Sequence, residues 1–143
     1  MEDPDRRPMT PEEAFAAIAL AAVACDGTLD HDEALSLRGQ LERRTPYAER
    51  SEESMGRLFD GLLDRLRRDG WRSLVDGAIP VLSREQQETA LAMAAQLVHC
   101  DRVVSKEEVE LLQAMAEGMT LESGRAERIL EVIAVLNRDS LAR

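Results

Sequence analysis

AIALAAVACDGTLDHDEALSL, residues 17–37, returns 75 positions later as AMAAQLVHCDRVVSKEEVELL, residues 92–112. Seven of the 21 aligned pairs are identical: Ala17 with Ala92, Ala19 with Ala94, Val23 with Val98, Cys25 with Cys100, Asp26 with Asp101, Glu33 with Glu108 and Leu37 with Leu112. Each copy is an apolar, alanine-rich run, a short polar bend and a second segment opened by acids. That pattern predicts a duplicated helix-loop-helix, and recurrence at a fixed offset is the mark of an internal repeat. Small side chains let backbones approach, so the two alanine-rich helices are expected to pack at the centre as a pseudo-symmetric pair.

Helix boundaries follow from caps and breakers. Thr10, Pro11 and Glu13 form a capping box with proline at the first helical position, which starts a helix expected over residues 11–25. Gly27 can adopt the left-handed conformation that ends it, and Asp30 with Glu33 opens a second helix to about residue 43. The polar stretch TPYAERSEES is a loop. After it, Met55, Leu58, Phe59, Leu62, Leu63 and Leu66 recur at helical spacing, giving a third helix that stops before Gly70. A short fourth begins at Trp71 and is interrupted near Pro80. Ser83 with Gln86 opens a fifth to about residue 100, Ser105 with Glu108 a sixth to about residue 118, and residues 121–136 hold a seventh. The expected fold is therefore all-α, a compact bundle of about seven helices, with residues 1–9 as a flexible tail and 10–143 as one domain.

Composition agrees with this and narrows the partners. Aromatic residues are 3% of the chain, and the abundant Ala, Leu, Val and Met suit helices better than strands. With 28 acidic against 18 basic side chains, the net charge is −10. Such a surface repels a phosphate backbone, so no nucleic-acid partner is expected, and cations or another protein fit better. The longest apolar run, residues 14–25, has twelve residues, whereas a spanning helix needs about 20. No transmembrane segment is expected. Two cysteines without a secretory signal point to a reduced, cytoplasmic protein.

The bend CDGTLDHDE, residues 25–33, is the second half of a calcium loop. In an EF-hand, Asp-Gly fills the fifth and sixth places and Glu closes the twelfth, as Asp26, Gly27 and Glu33 would here. The first and third places, which should carry acids, hold Ala22 and Ala24 in one copy and Leu97 and His99 in the other. A complete EF-hand is therefore the disfavoured alternative. One bend offers too few oxygens for a tight calcium site. Two bends brought together would oppose Asp26, Glu33, Asp101 and Glu108, and a shared divalent cation (Ca, Mg or Mn) would relieve that repulsion. The same residues have a plainer use: Asp26 in a turn, Asp30, Glu33 and Glu108 in helix caps.

Helix, Asp-Gly, a hydrophobic residue and a helix-opening Glu, repeated in the second half, resemble the TerB-like domain, named for bacterial tellurite-resistance proteins. The resemblance covers roughly residues 14–136. It implies an all-helical bundle of two repeats, acidic positions associated with divalent-metal binding, and a stress-response role at the periphery of a membrane complex. Carried across residue by residue, the metal-site acids are Asp26, Glu33, Asp101 and Glu108. Arg102 stands where the second glycine would be, and a cation beside Asp101 partly neutralises it.

Other chemistry-bearing residues are sparse. His99 stands two residues before Asp101 and could reach a transition metal, although a single His at a helix end is commonly packed. Cys25 and Cys100 read as small buried hydrophobes without a base partner. Residues 42–72 carry eight basic and seven acidic side chains, a net of +1, leaving −11 elsewhere. Arg57, Arg65, Arg67, Arg68 and Arg72 could form a basic edge for an acidic partner, or a solvated face laced with ion pairs. Trp71 is either a partner anchor or core. No nucleophile-base pair, phosphate-cradling glycine loop or complete ligand set points to an enzyme. The expected function is a non-enzymatic module that binds a divalent cation through its acidic bends, with a metal-independent protein-protein scaffold as the alternative.

Overall fold

The structure, a computed structural model, describes residues 8–99 and 104–142. Within them lie six α-helices: α1 Pro11–Ala24, α2 His31–Glu42, α3 Glu52–Ala78, α4 Arg84–His99, α5 Lys106–Gly118 and α6 Arg125–Leu136. Two single 3-10 turns, Tyr47–Glu49 and Ile79–Val81, join α2 to α3 and α3 to α4. No strand occurs among the described residues, so the all-α class holds.

Six elements are counted where seven were expected because the helices on either side of Gly70 meet across a kink with no loop between them and run as one stretch. Gly70, with φ 85° and ψ 162°, is a non-helical residue inside α3, and the helix resumes at once with Trp71. A side chain rarely adopts that backbone geometry, which is why glycine stands at the kink. Pro80 sits in the following 3-10 turn, where its missing N–H removes no α-helical bond.

Capping chemistry places several helix starts as the sequence indicates, but α3 begins at Glu52, capped by Ser51, inside the stretch 45–54 expected as a loop. Full capping boxes stand at Thr10/Glu13, Asp30/Glu33 and Ser105/Glu108. Ser83 and Gln86 bond reciprocally, backbone N–H to side chain, before α4. α6 starts differently, from Gly124 in the left-handed conformation with no side-chain cap.

α1 is the central helix. Nine of its residues are buried, from Ala14 to Ala24, with Ile18 and Leu20 as its large buried members. A helix apolar on every side has to be surrounded, and α1 packs chiefly against α3 and α4, then α2 and α5. α4 in turn carries α6 on its other side. Met9, assigned to the tail by sequence, is also buried, so the ordered packing begins before the first cap. The buried Gln87 fastens α4 to the α5–α6 connection. Its amide Nε2 donates to the Leu82 carbonyl at 3.0 Å, and its Oε1 accepts from the Thr120 N–H at 2.8 Å.

Candidate functional site

The first acidic bend is built from the end of α1. The N–H of Gly27 donates to the Ala24 carbonyl at 2.8 Å, and φ 85° at Gly27 turns the chain out of the helix. One Asp26 carboxylate oxygen then accepts from the Thr28 N–H at 3.0 Å and from the Thr28 hydroxyl at 2.8 Å. These two bonds, the backbone one foremost, hold the Asp26 carboxyl below its ordinary range. The Gly27 carbonyl, an oxygen a cation would use, accepts from Arg67 Nε of α3 at 3.1 Å.

Glu33 and Glu108 occupy equivalent positions. Asp30 Oδ1 accepts from the Glu33 N–H at 2.8 Å while Glu33 Oε1 accepts from the Asp30 N–H at 3.1 Å. Ser105 Oγ accepts from the Glu108 N–H at 3.1 Å, and Glu108 Oε1 accepts from the Ser105 N–H at 3.0 Å. Asp26, Glu33 and Glu108 therefore all serve local N–H groups. Asp101, with Cys100 and Arg102, lies outside the described residues. Among the described residues no three His, Cys, Asp or Glu side chains are grouped to hold a metal ion.

The end of α1 and the start of α5 nevertheless meet electrostatically. Partial burial pushes the Cys25 thiol up to about 11, and the negative charges of Glu107, Glu108 and Asp26 add to the effect in that order. The start of α5 thus lies within electrostatic reach of the end of α1. An anionic thiolate is disfavoured there.

His99 lines an open polar cleft of about 400 Å³ with Asn137, Arg138, Asp139 and Ser140. Along α3, Arg57 pairs with Glu53 at 3.7 Å, Arg72 pairs with Glu110 of α5, and Arg67 holds the bend. Trp71 is half-buried against the core, with the Arg72 guanidinium 4.6 Å from its ring centroid. The arginine edge is thus largely tied into the protein's own ion pairs and cation–π contact.

A second feature has no local signature in the sequence. At the start of α1 a groove of about 690 Å³ opens between α1, the 44–47 segment and the start of α4. Phe15, Pro46 and Leu82 supply apolar lining, and Arg44, Glu85 and Thr89 supply polar groups. The Arg44 guanidinium stands 5.9 Å from the Phe15 ring centroid. Below it the fold is braced: Tyr47 Oη donates to the Glu12 carbonyl, and Arg50 bonds the Glu12 carboxylate at 2.8 Å. The groove lies at the opposite end of α1 from the acidic bend. Its parts come from three separated segments, so no local motif announces it. No protein-family model, curated protein or solved structure matches the chain.

Proposed function

We propose that the chain is a non-enzymatic protein-protein interaction scaffold that works without metal. The observation that carries this reading is the commitment of Asp26, Glu33 and Glu108 to their own loop and helix N–H groups, with the Gly27 carbonyl taken by Arg67. The groove beside Phe15 is then the surface suited to a partner, since an apolar floor with a few placed polar groups is how binding clefts are built. Its Arg44 favours an acidic or carboxylate-bearing segment. Immobilised protein in chelator, compared with its Arg44→Glu variant, tests this. A partner held in chelator and lost with Arg44→Glu supports the reading; a partner held equally by both variants, or none, overturns it.

One observation favours a second reading, a divalent cation at the acidic end. Glu107, Glu108 and Asp26 all act on Cys25, so acids from both copies gather at one end of the bundle. Caps use only part of a carboxylate's accepting capacity, and a weakly held cation is compatible with them. The duplication seen in sequence and the resemblance to TerB-like domains support this reading and its stress-response or tellurite-resistance setting. Ca, Mg or Mn at millimolar concentration then raises the melting temperature relative to chelator, because a ligand selective for the folded state stabilises it. Equal melts with and without cation exclude it. As to membranes, no described helix is long and apolar enough to cross one.

A further inference from the structure

α2 is loosely seated on the bundle. Its buried residues are Leu37 and Leu41, against nine in α1. It rests on α1 and on the Tyr47–Glu49 turn. Toward α3 the packing stays open, because Leu29, Ala34 and Leu37 face Phe59 and Leu63 across a gap of about 180 Å³. Apolar surfaces held apart in this way forfeit the dispersion contacts that close packing supplies. Leu35, on the opposite side of the helix from Leu37, is 57% exposed.

Polar chemistry does not make up for this. α6 is tied to α4 by the Arg125–Glu88 pair and by Asn137 Nδ2, which donates to Gln96 Oε1 at 2.7 Å, and α3 is tied to α5 by Arg72–Glu110. In α2, Arg38 pairs at 3.4 Å with Glu42 of its own helix, and Asp30 and Glu33 bond each other's N–H groups. Gly39 stands in the interior of this twelve-residue helix, where glycine weakens helix formation relative to alanine. A helix of that length is marginal in water once its packing is lost. Both ends offer a pivot. Gly27, with φ 85°, precedes α2, and after it comes the buried Tyr47, anchored by its Oη to the Glu12 carbonyl. Between the end of α2 and that anchor lies Arg44, whose guanidinium stands over the Phe15 ring.

We infer that α2 is a detachable helix that controls the groove: it leaves the bundle and unravels as one unit between Gly27 and Tyr47, while α1 and α3 to α6 stay folded, and draws Arg44 off Phe15 as it goes. Detachment uncovers two buried leucines rather than the whole core, so it takes less free energy than global unfolding. The groove is complete in the docked form alone. This control rests on the groove reading above. The detachment itself does not, and a groove that holds no partner leaves it standing.

Native-state hydrogen exchange of the full chain tests it. Amides 35–42 should share one opening free energy, smaller than that of α1 and α4 and less dependent on denaturant, since less surface is exposed. Gln87→Leu weakens the junction of α4 with the α5–α6 connection, so it should speed exchange in α4 at least about fivefold and leave α2 unchanged. Gly39→Ala, whose added Cβ meets open space, should slow exchange in α2 about four- to fivefold. Gly39→Pro should abolish protection in α2, keep α1 and α4 protected, and shift the Phe15 ring resonances as Arg44 leaves. Amides of α2 that open only together with α1, or that Gln87→Leu speeds as much as those of α4, overturn the inference. So does a Gly39→Pro chain that is unfolded throughout. Unshifted Phe15 resonances in a folded Gly39→Pro chain overturn the control of the groove.

Discussion

The Gly27 carbonyl accepts a hydrogen bond from Arg67 Nε at 3.1 Å, which fastens the acidic bend to the flank of α3 forty residues away in sequence. The acidic bend is thereby held by a cation of the protein itself. Arg67→Ala should cost about 0.5–1.5 kcal/mol in denaturant unfolding, the net worth of an ordinary hydrogen bond. Amide exchange at Gly27 and Thr28 should quicken in the same variant, while exchange in α4 stays unchanged.

Asp26 links the bend to pH. Its carboxyl is held down by the Thr28 N–H and hydroxyl, so its folded value lies below the unfolded one. The stability this contributes is complete above the unfolded value and disappears as pH falls through the folded one. An NMR titration of Asp26 should therefore show a low midpoint that moves up in Thr28→Val, which removes the hydroxyl and leaves the backbone donor. Asp26→Ala should flatten the acid limb of the stability curve.

Cys25 acts in the opposite pH range. Burial and the nearby acids raise its thiol to about 11 from 9.0, so the unfolded chain loses this proton first and stability should decline above pH 9. Alkylation near neutral pH, measured with Cys100→Ser in the background, should run roughly ten- to a hundredfold slower than in the denatured chain. Glu107→Gln should speed it, whereas Glu88→Gln should not.

Two glycines of α3 should respond in opposite senses. An added Cβ has open space at both Gly61 and Gly70, but only Gly70 has a positive φ. Gly70→Ala should destabilise by about 1–3 kcal/mol through backbone strain alone. Gly61→Ala, in an ordinary helical conformation, should stabilise by about 0.5–1 kcal/mol. Thermal or urea unfolding of the pair measures the contrast.

Among the described residues, Gln87 is the buried polar residue of the core, 3% exposed. Gln87→Leu keeps the volume but leaves the Thr120 N–H and the Leu82 carbonyl without this partner. About 1–3 kcal/mol should be lost in chemical unfolding, the penalty for a buried polar group left unpaired.

What could be read before folding was the part written in local chemistry. Thr10 with Glu13, Asp30 with Glu33 and Ser105 with Glu108 mark helix starts because a cap bonds N–H groups two or three residues away. The break at Gly70 was also visible, since glycine is tolerated where other residues are strained. That the two helices on either side of it join without a loop was not visible, because that depends on how Trp71, Leu74 and Val75 return to the same core.

Sequence by itself determined the helical class, the caps at Thr10, Asp30, Ser83 and Ser105, the central role of the alanine-rich α1 and the acidic character of the bend after it. Each depends on contacts within a few residues or on simple periodicity. Tertiary structure alone decided that the Gly27 carbonyl is taken by Arg67, that Phe15, Pro46 and Leu82 line one groove, and that α6 keeps Val132, Val135 and Leu136 in water. Those outcomes depend on which distant faces meet, and burial is settled only when every helix has chosen its neighbours.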